Sequence, residues 1–221
     1  VGSTARVLMY NSGSPRFACY SSAQTTIRLY KMAAPSIAIA DNGTVSAANV
    51  TTGTVNQVLI KISAAVTTAN ATLNTFAFTT AGTYDADDLT NLKLWYSTDS
   101  TLDTGSDSNL GTISSPAAAG AKSFTGLSQT INSGSTGYFF ITADVAGSAT
   151  YGNTVSINAI ANGDLTFASG TVSGGPTSAG GAQTFVAAAP TSNGSVGSFT
   201  DVTSSGMTVN WTSGNGERRI V

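Results

Sequence analysis

At 221 residues the chain is long enough for one large all-β domain or two smaller ones, and a hydrophobic content of 41% excludes a disordered polypeptide. Charged residues make up only 9%, against about 25% in an average globular protein, so the surface is neutral and hydroxyl-rich, and with a pI near 4.8 it has no nucleic-acid footprint. Histidine is absent and cysteine occurs once, at Cys19, which removes the commonest general base, zinc sites and intramolecular disulfides together, and most enzyme classes with them.

The N-terminal segment carries its charge unevenly. Residues 1–33 hold Arg6, Arg16, Arg28 and Lys31 and no acid, while the rest of the chain holds five basic and eleven acidic residues. Opposite poles of this kind suit head-to-tail contact between copies. Strands are expected at 6–10 (RVLMY), 16–20 (RFACY) and 26–32 (TIRLYKM), separated by turn residues. Three strands make a fragment of a domain, with Cys19 as a small core residue, and Pro35 closes the segment.

Residues 36–187 form the longest continuous unit. Val58, Ile60, Ile62, Ala64 and Val66 alternate with Lys61 and Ser63, the period of a half-buried strand. Further strands are expected at 72–80, 91–97, 122–127, 137–145, 153–160, 164–170 and 182–188. About eight strands punctuated by turn signals predict an immunoglobulin-like β-sandwich. Two low-complexity stretches, 114–121 (SSPAAAGA) and 173–181 (SGGPTSAGG), are expected to be flexible surface loops. From Pro190 onward a third module begins, in which Met207, Val209 and Trp211 alternate with polar residues and RRIV (218–221) opens another strand.

The segment 189–221, with its Pro190 entry, the turn and strand VTSSGMTVNW ending on Trp211, and RRIV, resembles the first three of seven strands of a fibronectin type III domain. The central unit, on VNQVLIKISAAVTTANATLNTFAFTTAGTYDADDLTNLKLWYSTDS and GYFFITADVAGSATYGNTVSINA, is similar to immunoglobulin-like domains attached to secreted sialidases and other large surface proteins of Bacteroidota. The opening strands resemble the closing strands of another module in such proteins. The resemblance implies a non-catalytic unit, export and a multidomain context. An all-β fold is therefore expected, with a partial module at 1–33, a complete sandwich at 36–187 and an incomplete module at 190–221.

An incomplete sandwich exposes an apolar face and unpaired strand edges, which template pairing with other strands. The expected function is accordingly an extracellular, cell-surface structural protein, a filament or adhesin subunit assembled from copies of itself by β-strand complementation. The expected subunit contacts are Val7, Met9, Phe17, Ile27, Leu29, Met207, Val209, Trp211 and Ile220. The alternative is a non-catalytic carbohydrate-binding or spacer region of a secreted hydrolase, with surface glycans as partners. No apolar run is long enough to span a membrane, and no signal segment opens the chain, so a secreted chain would be a mature or trimmed form.

Chemistry-bearing residues are sparse. Asp85, Asp87 and Asp88 in YDADDL would offer hard oxygens to calcium, although the EF-hand pattern is absent. The competing reading makes DADDL a short turn capped by an aspartate and places Asp99, Asp103 and Asp107 in a solvated hairpin loop. Asp144 and Asp164 are isolated acids whose turn or edge positions explain them better than a glycosidase pair does. No cofactor is expected. Ser100 in DST resembles the O-glycosylation site of the same bacteria, and Asn-x-Ser/Thr triplets at Asn42, Asn49, Asn70, Asn193 and Asn210 are expected by chance in a chain this rich in Ser and Thr. Trp95 and Tyr96 would stack on sugars, yet on a strand such rings more often belong to a sheet or core.

Overall fold

The computed structural model describes residues 7–20, 25–26 and 32–216. It is an all-β protein whose contacts divide it into two compact units, 1–33 and 34–221. The first unit holds β1 (Val7–Asn11), β2 (Arg16–Tyr20) and β3 (Thr25–Thr26) in one antiparallel sheet of order β2-β1-β3. Asn11 sets the turn between β1 and β2: its side-chain oxygen accepts from the N–H groups of Gly13 and Ser14 at 3.0 and 3.1 Å.

The second unit opens with β4 (Ser36–Asp41), β5 (Ala48–Thr51), β6 (Gln57–Thr67), β7 (Ala71–Gly82) and β8 (Leu89–Ser97). Then come β9 (Ser108–Ser114), β10 (Gly120–Ile131), β11 (Thr136–Val145) and β12 (Thr154–Ile157). A single 3-10 turn, Asn162–Asp164, precedes β13 (Leu165–Phe167), β14 (Thr171–Ser173), β15 (Gln183–Val186), β16 (Ser195–Thr200) and β17 (Thr208–Thr212). Two six-stranded sheets form the β-sandwich: β10-β7-β12-β15-β5 with β13 also on β7, and β14-β4-β6-β11-β8-β9. Strands β16 and β17 pair with each other. Among the described residues, no helix is long and apolar enough to cross a membrane.

The core lies between the two sheets. Leu73, Phe76 and Phe78 of β7, with Phe124, Val155, Ile157 and Phe185, face Ile37, Ile39, Ile62, Leu94, Phe139 and Ile141, and all are buried. Burying each such side chain is worth about 1.5–3 kcal/mol. The alternation expected for 58–66 holds over Ile60, Ile62, Ala64 and Val66, but not at Val58. A bulge opposite Ile141 and Thr142 inserts Leu59, which turns fully into the core while Val58 moves to the other face, as a one-residue slip requires.

The second low-complexity stretch is a tucked segment rather than a flexible surface loop. Thr177 is buried; its N–H donates to the Ile160 carbonyl (2.9 Å) and its hydroxyl accepts from the Ile160 N–H (3.0 Å). Asp41 accepts from the Ser178 N–H and hydroxyl at 2.8 and 2.9 Å. At Gly180 and Gly181 a Cβ would overlap the Leu59 carbonyl oxygen and the Ala47 nitrogen. Glycine here lets two backbones close up, and flexibility is not its role.

The outer face of the second sheet has its own small cluster. Phe140, Thr142 and Trp95 are buried although they point away from the main core, and the indole Nε1–H of Trp95 donates to the Thr142 hydroxyl at 2.9 Å. Phe140 borders a concavity of about 450 Å³ with Val58, Lys61, Ser100 and Leu102, so the 98–107 loop supplies the cover.

Candidate functional site

The hairpin β16–β17 separates polar from apolar residues completely. Its register places Val196 opposite Trp211 and Phe199 opposite Val209, with a bulge between Val196 and Ser198. Opposite residues in an antiparallel pair share a face, so these four side chains make one apolar surface, continued by Met207 beyond the strand end. On the reverse, the Asn210 side chain donates to the hydroxyls of Ser198 and Thr200 at 3.4 and 3.1 Å. The apolar side is solvent-exposed: Val196 is 62% exposed, Met207 60%, Phe199 57%, Val209 48% and Trp211 47%.

A hairpin alone is marginal in water, and this one is fastened at its base. Asn215 accepts from the N–H groups of Thr191 and Ser192, both at 3.0 Å, and donates to the Thr191 hydroxyl at 2.9 Å. Pro190 and Gly216 also border an apolar groove of about 420 Å³ with Tyr151 and Phe185.

The sheet of the first unit likewise carries apolar groups in solvent. Leu8, Tyr10, Phe17 and Cys19 share one face through the pairs Leu8–Cys19 and Tyr10–Phe17, and the Tyr10 and Phe17 rings pack at 5.1 Å. Phe17 is exposed, while Met9 is half-buried and lies on the opposite face, paired with Ala18. Val7 pairs with Tyr20 at the strand end. The expected contact Met9 thus falls on a different face from Phe17, and the side chain of Val7, with Ile27, Leu29 and Ile220, lies outside the described residues. Cys19 is exposed rather than a core residue, because the described residues of this unit form one sheet with no second layer against it.

No family model and no curated protein matches the chain.

Several aspartates do structural work. Asp88 is buried, and its carboxylate accepts from the Asp85 N–H (2.9 Å), the Thr150 N–H (2.6 Å) and the Asn153 side chain (2.8 Å). Burial pushes this carboxyl up, but the hydrogen bonds from Asn153, Thr150 and Asp85 together outweigh it and hold the pKa below its ordinary value. The turn is closed by Asp88 reaching back to Asp85, so the capping carboxylate is the last residue of DADD. Asp85 and Asp87 are exposed, and among the described residues no group of three His, Cys, Asp or Glu is placed to hold a metal. Asp103 accepts from the Gly105 N–H at 2.9 Å and Asp107 from the Asp103 N–H at 2.7 Å, closing the hairpin loop.

Asp144 is the second anchor. It is 5% exposed and pairs with the Lys93 ammonium at 2.7 Å while accepting from the Asn56 N–H (2.8 Å) and the Asn91 side chain (2.9 Å). Lys93 also donates to the Asn56 side-chain oxygen at 2.9 Å. Burial raises the Asp144 pKa; the Lys93 hydrogen bond and charge, with Asn56 and Asn91, lower it further than burial lifts it. Asp164 meanwhile caps the 3-10 turn by accepting from the Ala161 N–H at 2.7 Å. Asp88, Asp144 and Asp164 are thus each held by structural partners. Replacing Lys93 by Met should cost about 2 kcal/mol, because it strands a buried carboxylate; urea unfolding will read the loss, and carboxyl NMR will show the Asp144 pKa rising.

Of the remaining expected residues, Trp95 is buried on the outer face of the second sheet with its indole N–H on Thr142 and has no face for a sugar, whereas Tyr96 is half-buried. Ser100 sits exposed in a turn where Asp99 accepts from the Thr101 N–H at 2.8 Å and the Ser100 carbonyl accepts from Asn42 at 3.0 Å. Sequence reasoning assigned Trp211 and Val209 to a face but missed Val196 and Phe199. The interrupted alternation of SVGSFT, displaced by its bulge, is the reason.

Proposed function

We propose that this chain is a non-catalytic extracellular structural protein, a filament or adhesin subunit whose copies join head to tail by β-strand complementation. One observation carries the reading: the apolar face of β16–β17 is in solvent. Five contiguous large apolar side chains on a two-stranded sheet are an interaction surface by their chemistry, and each strand of so narrow a sheet has an outer edge able to accept another strand. The proposed occupant is the N-terminal sheet of a second copy, which brings its own exposed Phe17 and Leu8 and the basic character of residues 1–33. Donor and acceptor lie on different parts of the chain, so the contact is heterologous and propagates into a fibre unless its rotation closes a ring.

Light scattering on the 221-residue chain, followed by electron microscopy, tests this. The expected result is a concentration-dependent series of oligomers growing into fibres, abolished by the double substitution Phe199→Asp, Val209→Asp with the thermal transition of the sandwich unchanged. A strictly monomeric chain at about 100 µM, a concentration that reveals contacts worth about 5–6 kcal/mol, would sink the proposal.

A further inference from the structure

Three lysines lie between residues 34 and 221, and two of them are committed. Lys93 is held by Asp144, and Lys122 donates to the Ala118 carbonyl at 3.0 Å. Lys61 makes neither an ion pair nor a side-chain hydrogen bond among the described residues. The register sets it opposite Phe140, so both side chains leave the second sheet on its outer side. With Val58 they form the floor of the concavity of about 450 Å³, a volume within the range of small-ligand sites. Val45 stands on one rim, and Ser100, Thr101 and Leu102 on the other. The acids that flank these two loops are turned elsewhere: Asp41 accepts from Ser178, and Asp99 from the Thr101 N–H.

Both rims are held in shape by the protein itself. Asn42 Nδ2 donates to the Ser100 carbonyl at 3.0 Å and ties one loop to the other. On the first loop, the Val45 carbonyl accepts from the Gly181 N–H at 2.7 Å and the Ser46 carbonyl from the Gln183 side chain at 2.9 Å. On the second, the Asp99 bond to Thr101 is 2.8 Å, and Asp103 and Asp107 close the far end. Gly43 has a φ of +76°, and a Cβ there would lie 3.3 Å from Lys61 Nζ, so glycine keeps the space beside the ammonium clear. The Ser100 and Thr101 hydroxyls, like the ammonium, make no hydrogen bond among the described residues. Fixed walls with uncommitted polar tips keep the ordering cost of binding low.

A single ammonium calls for a single negative charge. Phosphate and sulfate favour the bidentate fork of arginine or a cluster of donors, and nucleic acid needs rows of cations. One lysine beside two hydroxyls matches a carboxylate, whose two oxygens accept several hydrogen bonds. Val45, Val58 and Leu102 set apolar surface next to that charge, so the body behind the carboxylate is aliphatic or aromatic. We infer that this concavity binds a monocarboxylate carried on a small apolar body, whether a free acid or the end of a peptide chain. Lys61 pairs with its charge, Ser100 and Thr101 donate to its oxygens, and the three apolar side chains cover the body. The site is independent of how copies join, since β16–β17 contributes nothing to it.

Amide-resolved NMR titration of the 221-residue chain tests the inference, with 4-methylpentanoate, phenylacetate and the dipeptide N-acetyl-Ala-Leu as probes. Each is compared with its own carboxamide, and acetate serves as the acid without a body. At least one of the three larger acids should bind saturably with a Kd on the order of 1 mM, shifting the amides of Gly43, Thr101 and Leu102. The carboxamides and acetate should bind at least about tenfold more weakly, near 1.4 kcal/mol. Lys61→Gln should weaken the acids by the same factor and Lys61→Arg should keep most of the affinity, both at the parent melting temperature. The order of the dipeptide and the free acids tells which source the site prefers. Binding should be unchanged in the Phe199→Asp, Val209→Asp chain, which separates this site from assembly. No saturable binding of any larger acid, carboxamides or acetate binding as tightly, affinity unchanged in Lys61→Gln, or binding lost in the hairpin variant would each overturn it.

Discussion

Asp88→Ala should destabilise the sandwich by about 4 kcal/mol in urea unfolding, lowering the melting temperature by about 8–16 °C. The carboxylate is the single acceptor shared by three donors from two distant stretches, the 85–88 turn and the 150–153 loop. Deleting it leaves two backbone N–H groups and a carboxamide unsatisfied in a site that is 2% exposed, and each such group costs about 1–3 kcal/mol. Partial access of water to the vacated space sets the total nearer the low end of that sum. Folding pH dependence follows the same atoms. The native pKa of Asp88 lies below its unfolded value of about 3.9, so its contribution is complete above that value and is lost as pH falls through the native pKa. Asp144 shifts in the same direction and adds to the effect. Stability should therefore be flat from neutral pH down to about pH 4 with respect to these two groups and decline below it. The decline should be shallower in Asp88→Asn, which cannot titrate. A variant within 1 kcal/mol of the parent would remove Asp88 as an anchor.

Much of the sandwich was legible because its long strands satisfy local and global preferences at once. The runs around Ile60–Val66, Phe76, Leu92–Trp95 and Phe139–Val145 combine β-branched and aromatic residues with alternation, and each became a strand. The strands that were not anticipated are β4, β5, β9 and β14. Each carries only one or two large apolar residues, Ile37 and Ile39 in β4, Val50 in β5, Leu110 and Ile113 in β9 and Val172 in β14, set among small and polar ones, too few to mark a run. What makes β4, β5 and β14 strands is pairing across the chain, β14 with β4 and β15 with β5, both parallel, and no window of sequence displays a parallel partner more than 130 residues away; β9 instead pairs antiparallel with its neighbour β8. The Gly-rich 173–181 stretch misled for a related reason: composition shows that glycine lacks a side chain, not that a neighbouring backbone occupies its place. Buried charges were equally hidden, since Asp88 differs from Asp85 and Asp87 only in where the 150–153 loop comes to lie. The hairpin face was half visible through Met207, Val209 and Trp211.

Phe139→Ala should destabilise the protein by about 4 kcal/mol, in the range of large-to-small aromatic core replacements, and should reach beyond the core. Phe139 is 1% exposed and is the central ring of three: it meets Phe76 of the opposing sheet edge-on, with centroids 5.9 Å apart and planes at 60°, and Tyr96 of the neighbouring strand at 5.4 Å. The first contact joins the two layers, since Phe76 belongs to β7. The second backs the half-buried Tyr96 ring against the core. Removing the ring opens a cavity that the rigid strands on either side cannot close, and Tyr96 loses its backing and swings toward the space. Phe139→Leu keeps most of the volume and should cost about 1.5 kcal/mol or less. Urea midpoints at constant slope will measure both losses, and the Tyr96 ring resonances will report the swing: they should shift in the alanine variant and stay nearly in place in the leucine variant. Equal stability of the alanine variant and the parent would mean that the two sheets are not joined through this residue.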